Sequence, residues 1–131
     1  MIFFYRIANF LYSIKLPLIP KLIYYLQYLL FNSSVPSSVV IGEGTKFAYG
    51  GIGVVIHHRS IIGSNCIIGQ GITIGGKSKV HKVPIIGNKV YIAAGVRILG
   101  NIKIGNNVVI GANSVVVNDV DDNCVVAGIP A

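Results

Sequence analysis

The sequence is poor in acidic residues. Four acids, Glu43, Asp119, Asp121 and Asp122, stand against eleven lysines and arginines, and the formal net charge is +7. This balance indicates an anionic partner, such as a phosphorylated cofactor or an anionic lipid. Nucleic acid is not expected, because basic residues are not clustered with aromatic ones and no nucleic-acid-binding motif occurs.

Cysteines and long apolar runs are also scarce. Two cysteines, Cys66 and Cys124, do not make a disulfide framework, so a reducing cytosol is the expected compartment. Arg6, Lys15 and Lys21 interrupt the apolar N-terminus, which leaves no run long enough to span a bilayer. A charged n-region and an A-x-A site are missing, so no signal peptide is expected. We therefore expect a cytoplasmic protein, with contact to the inner face of the membrane left open.

Residues 1–31 are rich in aromatic and aliphatic side chains and contain no glycine. Pro17 and Pro20 predict a division into two helices, roughly 3–15 and 20–31. Two interpretations stay open. The segment is either a helical cap that packs on the remaining chain and helps subunits associate, or an element at a membrane interface, with aromatic and basic side chains at the headgroups.

The rest of the chain has a period of six. Every sixth residue is Ile or Val over one long stretch, and the next residue is usually glycine; these ten rungs are Ile62, Ile68, Ile74, Val80, Ile86, Ile92, Ile98, Ile104, Ile110 and Val116. No α-helix holds such a stripe on one face. Short strands that alternate with glycine corners do, as in a parallel β-helix.

This pattern predicts two regions, residues 1–38 as the helical segment with its linker and residues 39–131 as a mainly β solenoid. The flat outer faces and open ends of so short a solenoid predict oligomerisation. The repeat breaks twice, and such breaks are candidate functional regions. One is the glycine-rich insert at 49–53. The other is 75–85, which we expect to project from a corner as a loop, although Val80 keeps the phase.

Three stretches carry a resemblance to a known family: GIGVVIHHRSIIGSNCIIGQGITIGG (51–76), VPIIGNKVYIAAGVRILGNIKIGNNVVIGANSVVVNDV (83–120) and VVAGIPA (125–131). The chain resembles the hexapeptide-repeat acyltransferases with a left-handed parallel β-helix. Within them it is most similar to the serine acetyltransferase-like branch found among polysaccharide and capsule O-acetyltransferases. The resemblance implies a homotrimer that uses acetyl-CoA as donor, bound in a groove between adjacent subunits.

His57 is the residue that we expect to act as the catalytic base. Acetyl transfer to a hydroxyl needs a base that titrates near neutrality, and neutral imidazole meets this need. The resemblance places the catalytic histidine after the apolar run that precedes the glycine-rich coil, where His57 stands. His58 is the second candidate. On an extended segment the two side chains would point to opposite faces, so that only one of them faces the substrate.

The sequence departs from serine acetyltransferases at two positions. Those enzymes pair the histidine with an aspartate one coil earlier, in a V-D-I segment that here reads Val-Val-Ile at 39–41. They also place a second histidine directly before a proline, where this chain has Val83. Glu43 or a backbone carbonyl is left to orient His57. His81 remains as a residue that could line the pocket.

Small residues and cations are the expected contacts of acetyl-CoA. Glycine and alanine let the pantetheine arm approach the backbone closely, and cations meet the phosphates. The resemblance places the closing segment near the adenine. The expected set is Gly75, Gly76, Lys77, Ala93, Ala94, Gly95, Arg97, Ala127 and Gly128, with Lys79 and Lys82 as further phosphate ligands. No metal site is predicted, because no cysteine or acid is spaced to complete a set with the histidines.

We expect an acetyl-CoA-dependent O-acetyltransferase acting on a hydroxyl of a sugar or surface-polysaccharide precursor. Transfer is direct, since no activated serine or cysteine is evident, and the amide of Asn65 or Gln70 or backbone N–H groups stabilise the oxyanion. One alternative is serine O-acetyltransferase of cysteine biosynthesis, against which the missing residues, the short N-terminus and the end at Ala131 weigh. The other is a non-catalytic β-helix scaffold. Acetyl-CoA turnover that is lost in His57→Ala separates an enzyme from a scaffold.

Overall fold

The computed structural model describes residues 1–16 and 18–131. The helix-breaking role expected of Pro17 lies outside the described residues, and Pro20 lies in the first turn of the second helix. The elements are α1 (Ile2–Ser13), α2 (Leu18–Phe31), β1 (Val40–Ile41), β2 (Lys46–Phe47), a 3₁₀ helix (Ala48–Gly51), β3 (Val55–Ile56), β4 (Ile61–Ile62), β5 (Ile67–Ile68), β6 (Thr73–Gly75), β7 (Ile85–Ile86), β8 (Tyr91–Ile92), β9 (Arg97–Leu99), β10 (Lys103–Ile104), β11 (Val109–Ile110), β12 (Val115–Val116) and β13 (Val125–Val126).

The strands form three parallel sheets, which the chain visits in turn. Face 1 contains β1, β4, β7 and β10 in that order. Face 2 runs β2, β5, β8, β11 and β13, and face 3 runs β3, β6, β9 and β12. Each circuit of the three faces is one coil, so the described chain is a parallel β-solenoid of about four turns. We call the edges between faces corner 1–2, corner 2–3 and corner 3–1.

The predicted ladder forms the core of the solenoid. Nine of its ten rungs are at most 2% exposed, and they stack with their equivalents in the next coil, as Ile68 does with Ile92. Val80 is the exception: its assignment as a core rung is wrong, and it belongs to the loop expected at 75–85. It is 38% exposed and pairs with Lys77 inside the projecting loop. The loop lengthens its coil by one full repeat of six residues, so Val80 falls in phase without entering the core.

The helical segment is joined to the first coil by side-chain hydrogen bonds from α1. The hydroxyl of Tyr5 donates to the carbonyl of Val39, and the guanidinium of Arg6 donates to the carbonyls of Ile41 and Gly42. Solenoid pairing begins ahead of the expected start at Val39, because Ser34 already pairs in parallel with Val55. The described helices therefore rest on the base of the solenoid, and none is long and apolar enough to cross a bilayer.

Two buried serines inside the coils differ in their hydrogen bonding. Among the described atoms, the hydroxyl of Ser60 has no partner. The hydroxyl of Ser114 donates to the carbonyl of Gly111 at 2.6 Å and accepts from the N–H of Gly128 at 3.1 Å. An unpaired buried hydroxyl costs free energy, whereas a paired one contributes to stability.

We predict that Ser60→Ala raises the free energy of unfolding by about 1 kcal/mol, because it removes an unsatisfied polar group from the core. Ser114→Ala is the matched control and is expected to lower that free energy by about 1–2 kcal/mol, since it leaves the Gly128 amide without its acceptor. Urea denaturation followed by circular dichroism measures both. A loss of stability in Ser60→Ala would show that its hydroxyl finds a partner in solution.

Candidate active site

His57 lies where face 3 ends and the chain turns toward face 1. Its N–H continues the ladder by donating to the carbonyl of Ile74 at 2.8 Å, and its own carbonyl accepts from the N–H of Ser60 at 3.0 Å. His57 is thus the last residue paired as in a strand and the first of a turn. This position at corner 3–1 lets the half-buried imidazole reach the surface of the solenoid.

The two adjacent histidines stack on each other. Their ring centroids are 4.4 Å apart and the rings are inclined by 24°. The expectation that the side chains point to opposite faces is therefore wrong. Its physical reason is the turn: alternation applies to extended residues, and His58 no longer belongs to the strand. The two rings share one side of the corner.

A backbone amide holds the imidazole of His57. The N–H of Arg59 donates to Nδ1 of His57 at 3.1 Å, and the guanidinium of Arg59 donates to the carbonyl of His81 in the projecting loop. The resting neutral ring therefore carries its proton on Nε2. Glu43 does not take this role, since it follows β1 at corner 1–2 and is exposed. Arg59 is a site residue that the sequence analysis missed; its signal was the cation two residues after the candidate base.

The pKa of His57 is lowered from its ordinary value. Burial is the largest cause, followed by the positive charges that His58, Arg59 and His81 place nearby. Each of these disfavours the imidazolium ion. The ring is therefore neutral at pH 7, the protonation state that a general base requires.

We predict that Arg59→Gln raises the pKa of His57, because the imidazolium ion then has one positive neighbour fewer. A proton NMR titration of the histidine rings measures this directly, without reference to activity. Lys46→Gln, which removes an exposed cation from face 2, is the control and should leave the His57 titration unchanged. An unshifted midpoint in Arg59→Gln would contradict the electrostatic coupling.

Gly76 keeps the surface beside the imidazole open. A Cβ atom built on Gly76 would lie 3.8 Å from Cδ2 of His57 and 3.6 Å from Cγ1 of Val83. Gly75 ends β6 directly before it, and Lys77 follows as the first residue of the loop. Of the expected cofactor contacts, Gly76 therefore lies beside the candidate base, and Gly75 and Lys77 flank it along the chain.

Cavities flank the projecting loop on two sides. One, of about 370 Å³, is lined by Arg59, His81, Lys82 and Lys103 among others. The second, of about 450 Å³, has Gly76 and Lys77 in its wall. His81 lines the first of these cavities, and so does Lys103, which the sequence analysis did not consider. The cations give these cavities the charge that phosphate groups require.

The remaining expected cofactor contacts lie elsewhere on the same chain. Ala93, Ala94 and Gly95 form corner 2–3 in their coil. Gly111 occupies the same corner one coil further along the chain, and Ala127 and Gly128 occupy it in the last coil. Arg97 projects from β9 on face 3, and its guanidinium donates to the carbonyl of Gly71. Within one chain the expected set is thus divided between the two edges of face 3.

Neither side-chain amide considered for the oxyanion lies at the His57 corner. Gln70 belongs to corner 2–3, where its backbone carbonyl accepts from the N–H of Gly95 at 3.0 Å. Asn65 belongs to corner 1–2, with a φ of 57°. Oxyanion stabilisation by the same chain is therefore left to backbone N–H groups.

Comparison with known proteins gives concordant matches. The model of the bacterial transferase hexapeptide family, described as six repeats, matches residues 84–118. A serine acetyltransferase of Synechococcus elongatus is 44% identical over 128 residues, which are 96% of this chain and 52% of that protein. That of Bacillus subtilis (strain 168) is 37% identical over 128 residues, 96% of this chain and 58% of the relative. The chain spans about half the length of the curated relatives it matches.

Solved structures agree along nearly the whole chain. A serine acetyltransferase in complex with CoA superposes with a TM-score of 0.87 at 33% identity, covering 97% of this chain and 52% of the other. Soybean serine acetyltransferase complexed with serine gives a TM-score of 0.89 at 34% identity, covering 97% and 53%. Both matches extend over the helices as well as the solenoid.

These relatives correct the expected acceptor. We expected a hydroxyl of a sugar or surface-polysaccharide precursor, but the proteins that match at this identity are serine acetyltransferases. The expectation gave too much weight to the absent aspartate and histidine and to the ends of the chain. The repeats, the buried ladder and these superpositions together show that the chain belongs to the bacterial hexapeptide-repeat transferase family, with a left-handed parallel β-helix, and is a homologue of serine acetyltransferases.

Proposed function

We propose that this chain transfers an acetyl group from acetyl-CoA to the hydroxyl of serine. The superposition carries the proposal: nearly the whole chain aligns with serine acetyltransferases. The site is consistent with it, because His57 lies at corner 3–1 as a neutral imidazole beside Gly76, which has no side chain to fill the space. Solved relatives in complex with CoA and with serine support both substrates.

His57 would serve as general base and then as general acid. Acetyl-CoA supplies the acetyl group activated as a thioester. His57 accepts the serine hydroxyl proton while the new C–O bond forms, and it returns a proton to the CoA sulfur as the C–S bond breaks. Because the Arg59 amide occupies Nδ1 in the resting state, the ring must leave that amide to offer the Nδ1 lone pair.

The cations around the loop fit the phosphate groups of CoA. Arg59, Lys82 and Lys103 line one cavity and Lys77 the other, and the described walls of these cavities contain no acidic side chain. Gly75 and Gly76 admit the pantetheine arm between them and the base. The site is therefore suited to an anionic thioester donor.

We further propose that the working unit is a homotrimer. The expected CoA contacts of one chain lie at opposite edges of face 3, so a groove containing both groups requires corner 2–3 of a neighbouring copy. Exposed apolar side chains on the sheet faces, among them Ile61, Ile67 and Tyr91, are suitable for such contacts. Light scattering after gel filtration tests this assembly, and a monomeric mass at catalytic concentration would contradict it.

A thiol-release assay with acetyl-CoA tests the function. Serine is expected to give release, and alanine, which lacks only the hydroxyl, is the matched control and should give none. The absent acidic partner of His57 favours one competing function, a β-helix scaffold that binds but does not transfer. CoA binding by calorimetry without release in the presence of serine would establish that scaffold and overturn the proposal.

A further inference from the structure

The helical hairpin formed by α1 and α2 has its polarity inverted relative to a water-exposed hairpin. Its outer face is crowded with exposed apolar and aromatic side chains, namely Phe3, Phe10, Tyr12, Ile14, Leu16, Leu18, Ile19, Leu22, Tyr25, Leu26, Tyr28, Leu29 and Leu30. A surface helix normally buries its apolar stripe and shows its polar one to water. An apolar surface of this extent marks an interaction site.

Three polar side chains of the hairpin, those of Arg6, Asn9 and Gln27, are directed inward. Arg6 donates to two carbonyls of the first coil, and Asn9 donates to the carbonyl of Ser37 at 2.8 Å. Gln27 is 1% exposed; its side-chain oxygen accepts from the N–H of Tyr5 at 3.0 Å, and its side-chain NH₂ donates to the carbonyl of Val35 at 3.3 Å. Because these polar contacts hold the inner side of the hairpin on the first coil, the outer apolar side is not the side that packs against the solenoid.

The positive charge on the outer side favours an anionic partner over a second copy of the hairpin. Lys15 and Lys21 are exposed, whereas residues 1–42 contain no acidic residue. A second copy of the hairpin would bring the same cations against each other. An anionic lipid surface attracts them, and aromatic side chains are suited to the depth of the headgroups. The described helices are too short to span, so contact would be parallel to the surface.

We propose that the outer face of this hairpin docks on an anionic membrane surface, with its aromatic and aliphatic side chains in the interface and Lys15 and Lys21 at the headgroups. The docking does not depend on acetyl transfer, since its residues lie on α1, on α2 and in the connection between them, whereas the candidate base lies at corner 3–1. A chain without turnover can therefore still test it.

Co-sedimentation of the full chain with vesicles tests the proposal. Vesicles of phosphatidylcholine with phosphatidylglycerol are compared with vesicles of phosphatidylcholine alone. Binding is expected only to the anionic vesicles and should weaken as salt is raised. Lys15→Gln combined with Lys21→Gln should weaken it about 25-fold, at about fivefold for each charge lost near an anionic surface.

A matched pair of apolar substitutions tests the face itself. Leu29 on α2 is 80% exposed and Val125 on β13 is 78% exposed. Leu29→Asp should abolish vesicle binding, and Val125→Asp should leave it unchanged. Equal binding by the Leu29 variant and the unaltered chain would overturn the proposal. A second result would also overturn it: the unaltered chain binds no lipid, and Leu29→Asp forms a smaller assembly than the unaltered chain. A second copy of the chain would then cover the face. If Leu29→Asp fails to fold by circular dichroism, the exposed lysine variant decides: undiminished binding to anionic vesicles overturns the proposal.

Discussion

Serine-dependent turnover of acetyl-CoA is expected to fall about 10²- to 10⁴-fold when His57 is replaced by alanine, the range that loss of a general base typically produces. The imidazole lies half-buried at a corner, outside the stacked rungs, so the variant should keep its fold and its affinity for CoA. Thiol release and calorimetry on the same preparation measure the two quantities.

His58→Ala is the matched control, since it removes the ring stacked on His57 but leaves the candidate base. It should retain most of the turnover. Its acid limb in the pH profile of kcat/KM should move to higher pH, because a positive neighbour that lowers the pKa of His57 is gone. Undiminished turnover in His57→Ala would exclude His57 as the base. A loss of turnover in His58→Ala alone would assign that role to His58.

Ile92→Ala is expected to lower the free energy of unfolding by about 2–5 kcal/mol, the usual cost of a cavity in a packed core. Ile92 is fully buried and stacks between Ile68 and Ile110 on face 2. Urea denaturation and thermal melting, both followed by far-UV circular dichroism, measure the loss in free energy of unfolding and in Tm.

The control for this prediction is Val80→Ala, which truncates a residue in the same sequence phase. Because Val80 lies in the projecting loop, the variant should change the free energy of unfolding by less than about 0.5 kcal/mol. Similar losses in the two variants would mean that the loop residue does stack as a rung, and that the strand pairing across the loop is wrong on all three faces.

The sequence was sufficient for the core because a period of six has one simple explanation. Ile, Val and glycine at fixed spacing predicted the parallel solenoid and nine of its buried rungs. The same reasoning failed at Val80, since periodicity cannot distinguish a coil residue from a loop residue when the loop is one repeat long. The pairing of Ile74 with Ile98, which skips this loop, is a contact between distant residues and becomes visible only in the fold.

The site was less accessible to sequence reasoning. His57 and Gly76 could be chosen from pattern and resemblance, but their contact depends on how the corner closes. The stacking of His57 on His58 was missed because alternation was applied one residue past the end of the strand. The hydrogen bond from Arg59 to Nδ1 of His57 comes from a backbone amide, which every residue except proline has, so only the charge of Arg59 was visible in the sequence. The expected cofactor residues, chosen as one set, proved to occupy two edges of the solenoid, which is a property of its triangular course.

The pairing of each coil with its neighbours has a consequence for how this chain folds. Ile86 pairs with Ile104, eighteen residues on. The circuits that include the projecting loop, such as that from Ile68 to Ile92, take twenty-four residues, the longest among the described strands. The sequence separation of core contacts is therefore set by one circuit and does not grow with the number of coils. Folding can begin at any complete coil and advance like a zipper in both directions. Lengthening such a protein by a coil would add stability without lengthening any loop that its folding must close.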